Sequence, residues 1–201
     1  IALRSLFTII LCLLLSCFIY SELLNTISWH QLKSILIASL LGALGLICMV
    51  SALKNGSLRQ LGVFNLLTVF ITVTYLIIFE NLNIKYYLIG SFFILIGFAF
   101  YLFQIKKNRV AEYSIKQYSL LSLMALFFSS SGLLHWYNLK ASIPVIASVL
   151  TQESTVFLIG ISMFLFQPKK LIIEIVRNSI NKIKLVFIMA LIIFLAILFG
   201  F

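Results

Sequence analysis

The sequence predicts an all-α protein, a polytopic bundle of about seven transmembrane helices, and three observations predict it. Of the 201 residues, 63% are hydrophobic and only 10% are charged. Water-soluble domains carry about 25% charged residues, so this chain lacks the polar surface to cover a globule in water. Second, the apolar residues gather into runs close to the roughly 20 residues that a helix needs to cross a bilayer. Third, these runs are apolar throughout and do not alternate, which excludes the strands of a closed barrel.

The runs fall at 5–24, 34–53, 61–79, 86–105, 117–137, 143–166 and 184–201. The first opens after Arg4 and holds Cys12 and Cys17; the second holds Gly42, Gly45 and Cys48. The third carries one amide, Asn65, and closes on Glu80, and the fourth carries Gly90 and Gly97. Glycines in such runs predict close helix–helix contact. The cysteines have no CxxC or Cys/His metal spacing and read as small packing residues. The fifth run contains Ser129-Ser130-Ser131-Gly132 and then His135-Trp136-Tyr137, with the aromatic rings suited to anchor a helix end at the interface. The sixth contains Glu153, and the seventh continues to the end of the sequence. Between the last two runs, Leu171, Ile172, Ile175, Val176 and Ile180 recur at helical spacing among basic residues. That stretch reads either as an amphipathic helix in the membrane interface or as an ordinary basic loop. The chain starts at Ile1, without a signal-peptide pattern, and stops inside an apolar run, so it reads as a piece of something longer.

Charge gives the predicted orientation. The chain has no Asp, five Glu and fifteen Lys plus Arg, for a net charge of +10. Nucleic-acid binding needs a basic face on a soluble fold; here the basic residues punctuate apolar runs, so no nucleic-acid partner is expected. Taking alternate ends of the runs, one side holds Arg4, Lys54, Arg59, Lys106, Lys107, Arg109, Lys116, Lys169, Lys170, Arg177, Lys182 and Lys184, and the other only Lys33, Lys85 and Lys140. The positive-inside rule puts the richer side in the cytoplasm. A multi-pass protein of the cell membrane follows, with loops 54–60, 104–118 and 167–184 cytoplasmic.

Residues 51–101 carry a recognisable pattern. Ala52-Leu53-Lys54 closes one helix, a small-residue turn follows, the next helix ends in Glu80, and a short polar connection leads to a helix with Gly90 and Gly97. This resembles the EamA-type repeat of the drug/metabolite transporter superfamily, and Ala2-Leu3-Arg4 is similar to the opening of that family's second helix. The turn here reads Phe79-Glu80-Asn81-Leu82, without the family's Gly and Arg, and Thr68 or a neighbour stands where its fourth helix usually has Pro. The resemblance implies part of a fold of two inverted five-helix repeats. Residues 1–105 would be the remainder of the first repeat, 106–116 a basic connecting loop, and 117–201 the start of the second. It also implies structural roles for Arg4, Lys54, Glu80, Gly90 and Gly97. The family's usual orientation is opposite to the one the charges give.

The candidate chemistry lies in the spans. Glu153 sits near the centre of an apolar run, where a charge costs about 2.5–3.5 kcal/mol on insertion scales and commonly marks an ion, proton or substrate path. The bland alternative is a neutral Glu153 bonded to a neighbouring helix. At 100° per residue Ser148, Thr151, Gln152, Thr155 and Ser162 form one stripe, from which Glu153 points away. The stripe is a candidate path lining. His135, beside Trp136, is either a proton-linked site or an interfacial residue, and Asn65 either binds substrate or bonds across helices. No metal site and no cofactor are expected, and no GxxxxGK[ST] loop for nucleotide use occurs. The expected function is a secondary carrier or exporter of small metabolites or drugs, with protons as the candidate coupling ion. An accessory membrane subunit is the alternative. A membrane-embedded transferase is disfavoured because metal-dependent ones need clustered acids, so no enzyme activity is expected.

Overall fold

The structure, a computed structural model, describes residues 2–19, 27–53, 58–80 and 115–198, together with 89–90, 92–97, 99–100 and 103. Its helices are α1 (Ala2–Ile19), α2 (Trp29–Leu53), α3 (Leu58–Glu80), α4 (Ile115–Lys140), α5 (Val145–Leu165), α6 (Lys169–Asn181) and α7 (Ile183–Leu198). Residues 92–97 are also helical, and no strand occurs among the described residues. The fold is therefore all-α. The second to sixth helices of this series, less α6, give four stretches long and apolar enough to cross a membrane: Trp29–Leu53, Leu61–Glu80, Ile115–Lys140 and Val145–Leu165. At 1.5 Å rise per residue they are about 30–39 Å long, against a hydrocarbon core of about 30 Å. The expected fourth span, 86–105, and the connection 106–116 lie partly outside the described residues, as does Lys54.

Helix ends explain where the observed limits differ from the apolar runs. α2 begins five residues before its run because Ser28 and Gln31 form a reciprocal cap: the Ser28 amide donates to Gln31 Oε1 (2.9 Å) and the Gln31 amide to Ser28 Oγ (3.3 Å). α4 is stopped by a left-handed residue two positions past its end, Ser142 (φ 60°). The amide of Ile143 donates to the Asn138 carbonyl (3.1 Å) and that of Ser142 to Leu139 (3.0 Å), the paired bonds of a Schellman turn. Pro144 then opens α5, and Pro168 separates α5 from α6. The 169–181 stretch is thus a helix rather than a loop. Residues 58–60 and 115–118, expected in loops, belong to α3 and α4.

The chain forms two compact units, residues 1–43 with 134–201, and residues 44–133. These units cut across the sequence division at 105–117; compactness and repeat structure divide a chain on different grounds. In the first unit α1 packs on α5 and α7. The face of α1 that does so is small and polar: Ser5, Thr8, Cys12 and Ser16 are buried. The Thr8 hydroxyl donates to the Arg4 carbonyl (3.2 Å) and that of Ser16 to Cys12 (2.7 Å), so neither needs a partner from another helix. Gly160 of α5 lets α1 approach closely; a Cβ there would lie 2.8 Å from Ala2 Cβ. Phe7 meets Phe187 edge-on at 5.6 Å, and Ile35 packs with Ile143 and Ala147.

The second unit centres on Ala52, Phe64, Leu121 and Met124, with Cys48, Met49 and Phe128 packed against them. Cys12 and Cys48 pack as expected; Cys17 is exposed instead. α3 runs unbroken through Thr68, whose carbonyl accepts from the hydroxyls of Thr72 (3.0 Å) and Ser129 (3.3 Å). The glycines separate into two kinds. A Cβ on Gly45 would lie 2.7 Å from Phe128 Cδ1 and 3.1 Å from its Cγ. Gly90 and Gly97 depart from the expected close contact: both are exposed, and a Cβ on either would meet nothing within 4 Å.

Large apolar side chains lie outside these interfaces. Ile37, Leu40, Ile78, Phe79, Leu158 and Leu165 are all exposed, whereas Ser39, Ser129, Ser131, Asn138 and Glu153 are buried. The Phe128 ring must translate to admit a methyl group at Gly45. Gly45→Ala should therefore lower stability by about 1–3 kcal/mol. Gly62→Ala, where a Cβ meets nothing within 4 Å, should leave it unchanged or raise it by up to about 1 kcal/mol. Thermal unfolding of the two detergent-purified variants checks the order, and equal stabilities would refute the Gly45 contact.

Candidate functional site

Glu153 lies in the ninth position of α5, more than two turns from either end of the helix. Three neighbours on its face, Ile146, Val156 and Gly160, recur at helical spacing and turn that face to α1. Arg4 stands in the first turn of α1. One guanidinium nitrogen, Nη2, donates to both carboxylate oxygens of Glu153, at 3.0 Å to Oε1 and 2.8 Å to Oε2, and to Ser5 Oγ at 3.2 Å. The side chains are 19% and 9% exposed respectively, so both charges are largely withdrawn from solvent. Arg4 and Glu153, singled out for different reasons in the sequence, form one site.

The pairing corrects one premise of the charge pattern. Arg4 was expected at a cytoplasmic end. Ala2 meets Gly160 while Arg4 meets Glu153, so α1 runs antiparallel to α5 and its first turn lies beside the middle of α5. Arg4 belongs to the bundle interior and not to a loop. The asymmetry survives its removal, eleven basic residues against three.

The stripe on the far side of α5 is less available than its composition implies. Thr151 donates to the Ala147 carbonyl, Thr155 to Thr151 and Ser162 to Leu158, each at 2.8 Å. These hydroxyls are satisfied by their own helix, which is how Ser and Thr are accommodated in an apolar setting. Gln152 is half-buried, and Ser162 is exposed. Ser148 is buried and its Oγ has no hydrogen-bond partner among the described residues.

Ser148 shares that condition with Ser39 Oγ, Asn138 Nδ2 and both ring nitrogens of His135, all in the first unit. Asn138 uses its other amide atom, Oδ1, to accept from Ser34 at 2.6 Å, which fixes the register of α2 against α4. His135 is half-buried, one turn from Asn138. Trp136 lies beneath Lys140, whose Nζ is 4.0 Å from the ring centroid, and edge-on to Tyr137 at 5.1 Å. Lys33 stands 5.6 Å over Trp29, the first residue of α2. Both tryptophans thus carry a lysine and sit at the end of the bundle that the Ser34–Asn138 bond ties together.

The remaining candidates lie elsewhere. Asn65 is exposed on α3, and Glu80 is half-buried as the last described residue of that helix. Both belong to the second unit, with Gly90 and Gly97. A groove of about 740 Å³ in that unit is lined by Phe70, Thr74, Ile77, Ile78, Phe92 and Phe93 among others, and no charged side chain lines it among the described residues. Among the described residues, no three His, Cys or Glu side chains come together.

Sequence reasoning missed the cap at Ser28 and Gln31, the Ser34–Asn138 bond and the partner of Glu153. The first had a signal, Ser-x-x-Gln ahead of an apolar run. The last had half of one: Glu153 is a lone acid in an apolar run and needs a partner, but Arg4 lies just ahead of its run. The Ser34–Asn138 bond had none. No protein-family model, no curated protein and no solved structure matches the chain.

Removing one member of a buried pair strands the other charge, at a cost of about 3–5 kcal/mol. Glu153→Ala and Arg4→Ala should each lose about that much stability, while the double variant Arg4→Met, Glu153→Leu should recover most of it. Unfolding of the detergent-purified proteins measures the cycle; a double variant no more stable than the single ones would contradict a coupled, buried pair.

Proposed function

We propose that the chain is part of a polytopic membrane transporter, a secondary carrier or exporter of small metabolites or drugs with protons as coupling ion. The observation that carries the reading is the Arg4–Glu153 pair. Intramembrane charges are costly, and they occur mainly where an ion, proton or substrate moves. A carboxylate held by one guanidinium can exist in two states. In one it is ionised and paired. In the other it has taken a proton, and Arg4 is released to meet another acceptor. Because α1 and α5 meet at this pair, a change of state there alters what holds two helices together. Alternating access requires a coupling of that kind.

On this reading the seven apolar runs all cross the cell membrane as part of an EamA-type inverted repeat, and residues 54–60, 104–118 and 167–184 face the cytoplasm. The apolar exterior and buried hydroxyls support a lipid surrounding. Glu80 at the close of α3 and the unbroken helix at Thr68 support, respectively, the resemblance and its departure from the Pro-containing pattern. The competing reading is an accessory membrane subunit in which the ion pair is a static staple. One observation favours it: Thr151 and Thr155 spend their hydroxyls on α5 itself.

Flux in proteoliposomes separates the two. With Glu153→Gln, gradient-driven transport should fall by roughly tenfold or more, the scale of an interaction above about 1.4 kcal/mol, while downhill exchange persists. Unchanged gradient-driven flux would remove the coupling role. Orientation has its own check: a reporter active only in the cytoplasm and fused after Lys107 should be active, and a silent one paired with an active periplasmic reporter would reverse the assignment.

A further inference from the structure

α6 differs in kind from the helices around it. Its thirteen residues span about 20 Å, too short to cross a bilayer, and it lies between the apolar helices α5 and α7. At 100° per residue, Ile172, Ile173, Ile175, Val176 and Ile180 fall on one face, and Glu174, Arg177, Asn178 and Asn181 on the other. The apolar face is not covered by the rest of the chain: Ile173 is 68% exposed and Ile180 60%, with Ile175 and Val176 also exposed. Leu165 and Phe166, at the close of α5, are exposed as well.

The charge beside that face is one-sided. Residues 169–184 hold Lys169, Lys170, Arg177, Lys182 and Lys184 against a single acid, Glu174. Arg177, Lys182 and Lys184 are exposed, and no ion pair involves them among the described residues. An uncovered apolar face with a cationic margin, tethered at both ends to apolar helices, matches a surface that is apolar below and anionic above.

We infer that α6 is an in-plane lipid-binding element. It seats Ile173, Ile175, Val176 and Ile180 at the acyl boundary, and Arg177, Lys182 and Lys184 hold the headgroups of anionic phospholipids. The inference rests on the membrane reading above and goes beyond it, because it names the lipid class that this protein requires around α6. Both parts of the contact are needed. The apolar face alone would accept any phospholipid, and the cations alone would be screened in salt.

The test uses the full chain in nanodiscs of phosphatidylcholine, with or without phosphatidylglycerol, and reads amide hydrogen exchange over 169–181. Exchange should be slower with phosphatidylglycerol by roughly tenfold, since each basic residue near an anionic surface contributes measurably. The variant R177Q/K182Q/K184Q should lose that difference and keep the phosphatidylcholine rate. The variant I173S/I180S should exchange fast in both discs. Equal exchange of the parent chain in the two discs overturns the proposal. So does slow exchange in native membranes with fast exchange in both discs, which would assign the face to a protein partner. Release of the chain from membranes by alkaline carbonate would instead overturn the membrane reading itself; retention with fast exchange at α6 overturns the lipid contact alone.

Discussion

The ion pair between Arg4 and Glu153 constrains what surrounds it. A guanidinium and a carboxylate at 2.8 Å attract strongly where the dielectric is low, yet each also pays for leaving water. The balance is favourable only while both stay together, so the two helices that carry them cannot separate independently. The rest of the interface follows from that closeness. α1 presents Ser5, Thr8, Cys12 and Ser16 to its neighbours, and α5 offers Gly160 to Ala2. Larger side chains at these positions would hold the helices too far apart for a direct pair.

Eight hydroxyl groups among the described residues show the same economy. Thr8, Ser16, Thr68, Thr72, Ser129, Thr151, Thr155 and Ser162 each donate to the carbonyl four residues earlier. A donor satisfied within its own helix can be buried or placed against lipid without an unpaired polar group, which would otherwise cost several kcal/mol. A polar stripe in an apolar helix is therefore weak grounds for a path. The informative polar atoms are those left over after this local bonding, and in the first unit they are His135, Asn138, Ser39 and Ser148.

This distinction explains how much was legible beforehand. The all-helical fold and most helix positions followed from run length, because one physical quantity, apolar length, decides them. Helix limits were less legible: α2 starts where Ser28 and Gln31 cap it, and capping is independent of hydropathy. Glu153 stood out because a lone acid in an apolar run is costly wherever it points. Its partner was harder to see, since Arg4 at the edge of a run reads as a loop charge until the antiparallel register of α1 and α5 places it beside the middle of α5. Gly45 and Gly97 are alike in sequence context, and only packing separates them, one against Phe128 and one open.

The location of charge along the chain carries a further consequence. With Arg4 drawn into the bundle, the basic residues nearest to apolar helix ends are concentrated after α5, at Lys169, Lys170, Arg177, Lys182 and Lys184. The two groups act at different depths. The interior pair is neutral as a unit and governs how α1 sits on α5. The residues around α6 carry a net positive charge, five basic side chains against Glu174. Because α6 follows α5 directly after Pro168, a force on α6 reaches the helix that carries Glu153 through a connection only a few residues long. The lipid contact inferred for α6 would therefore act on the same stretch of chain that carries Glu153.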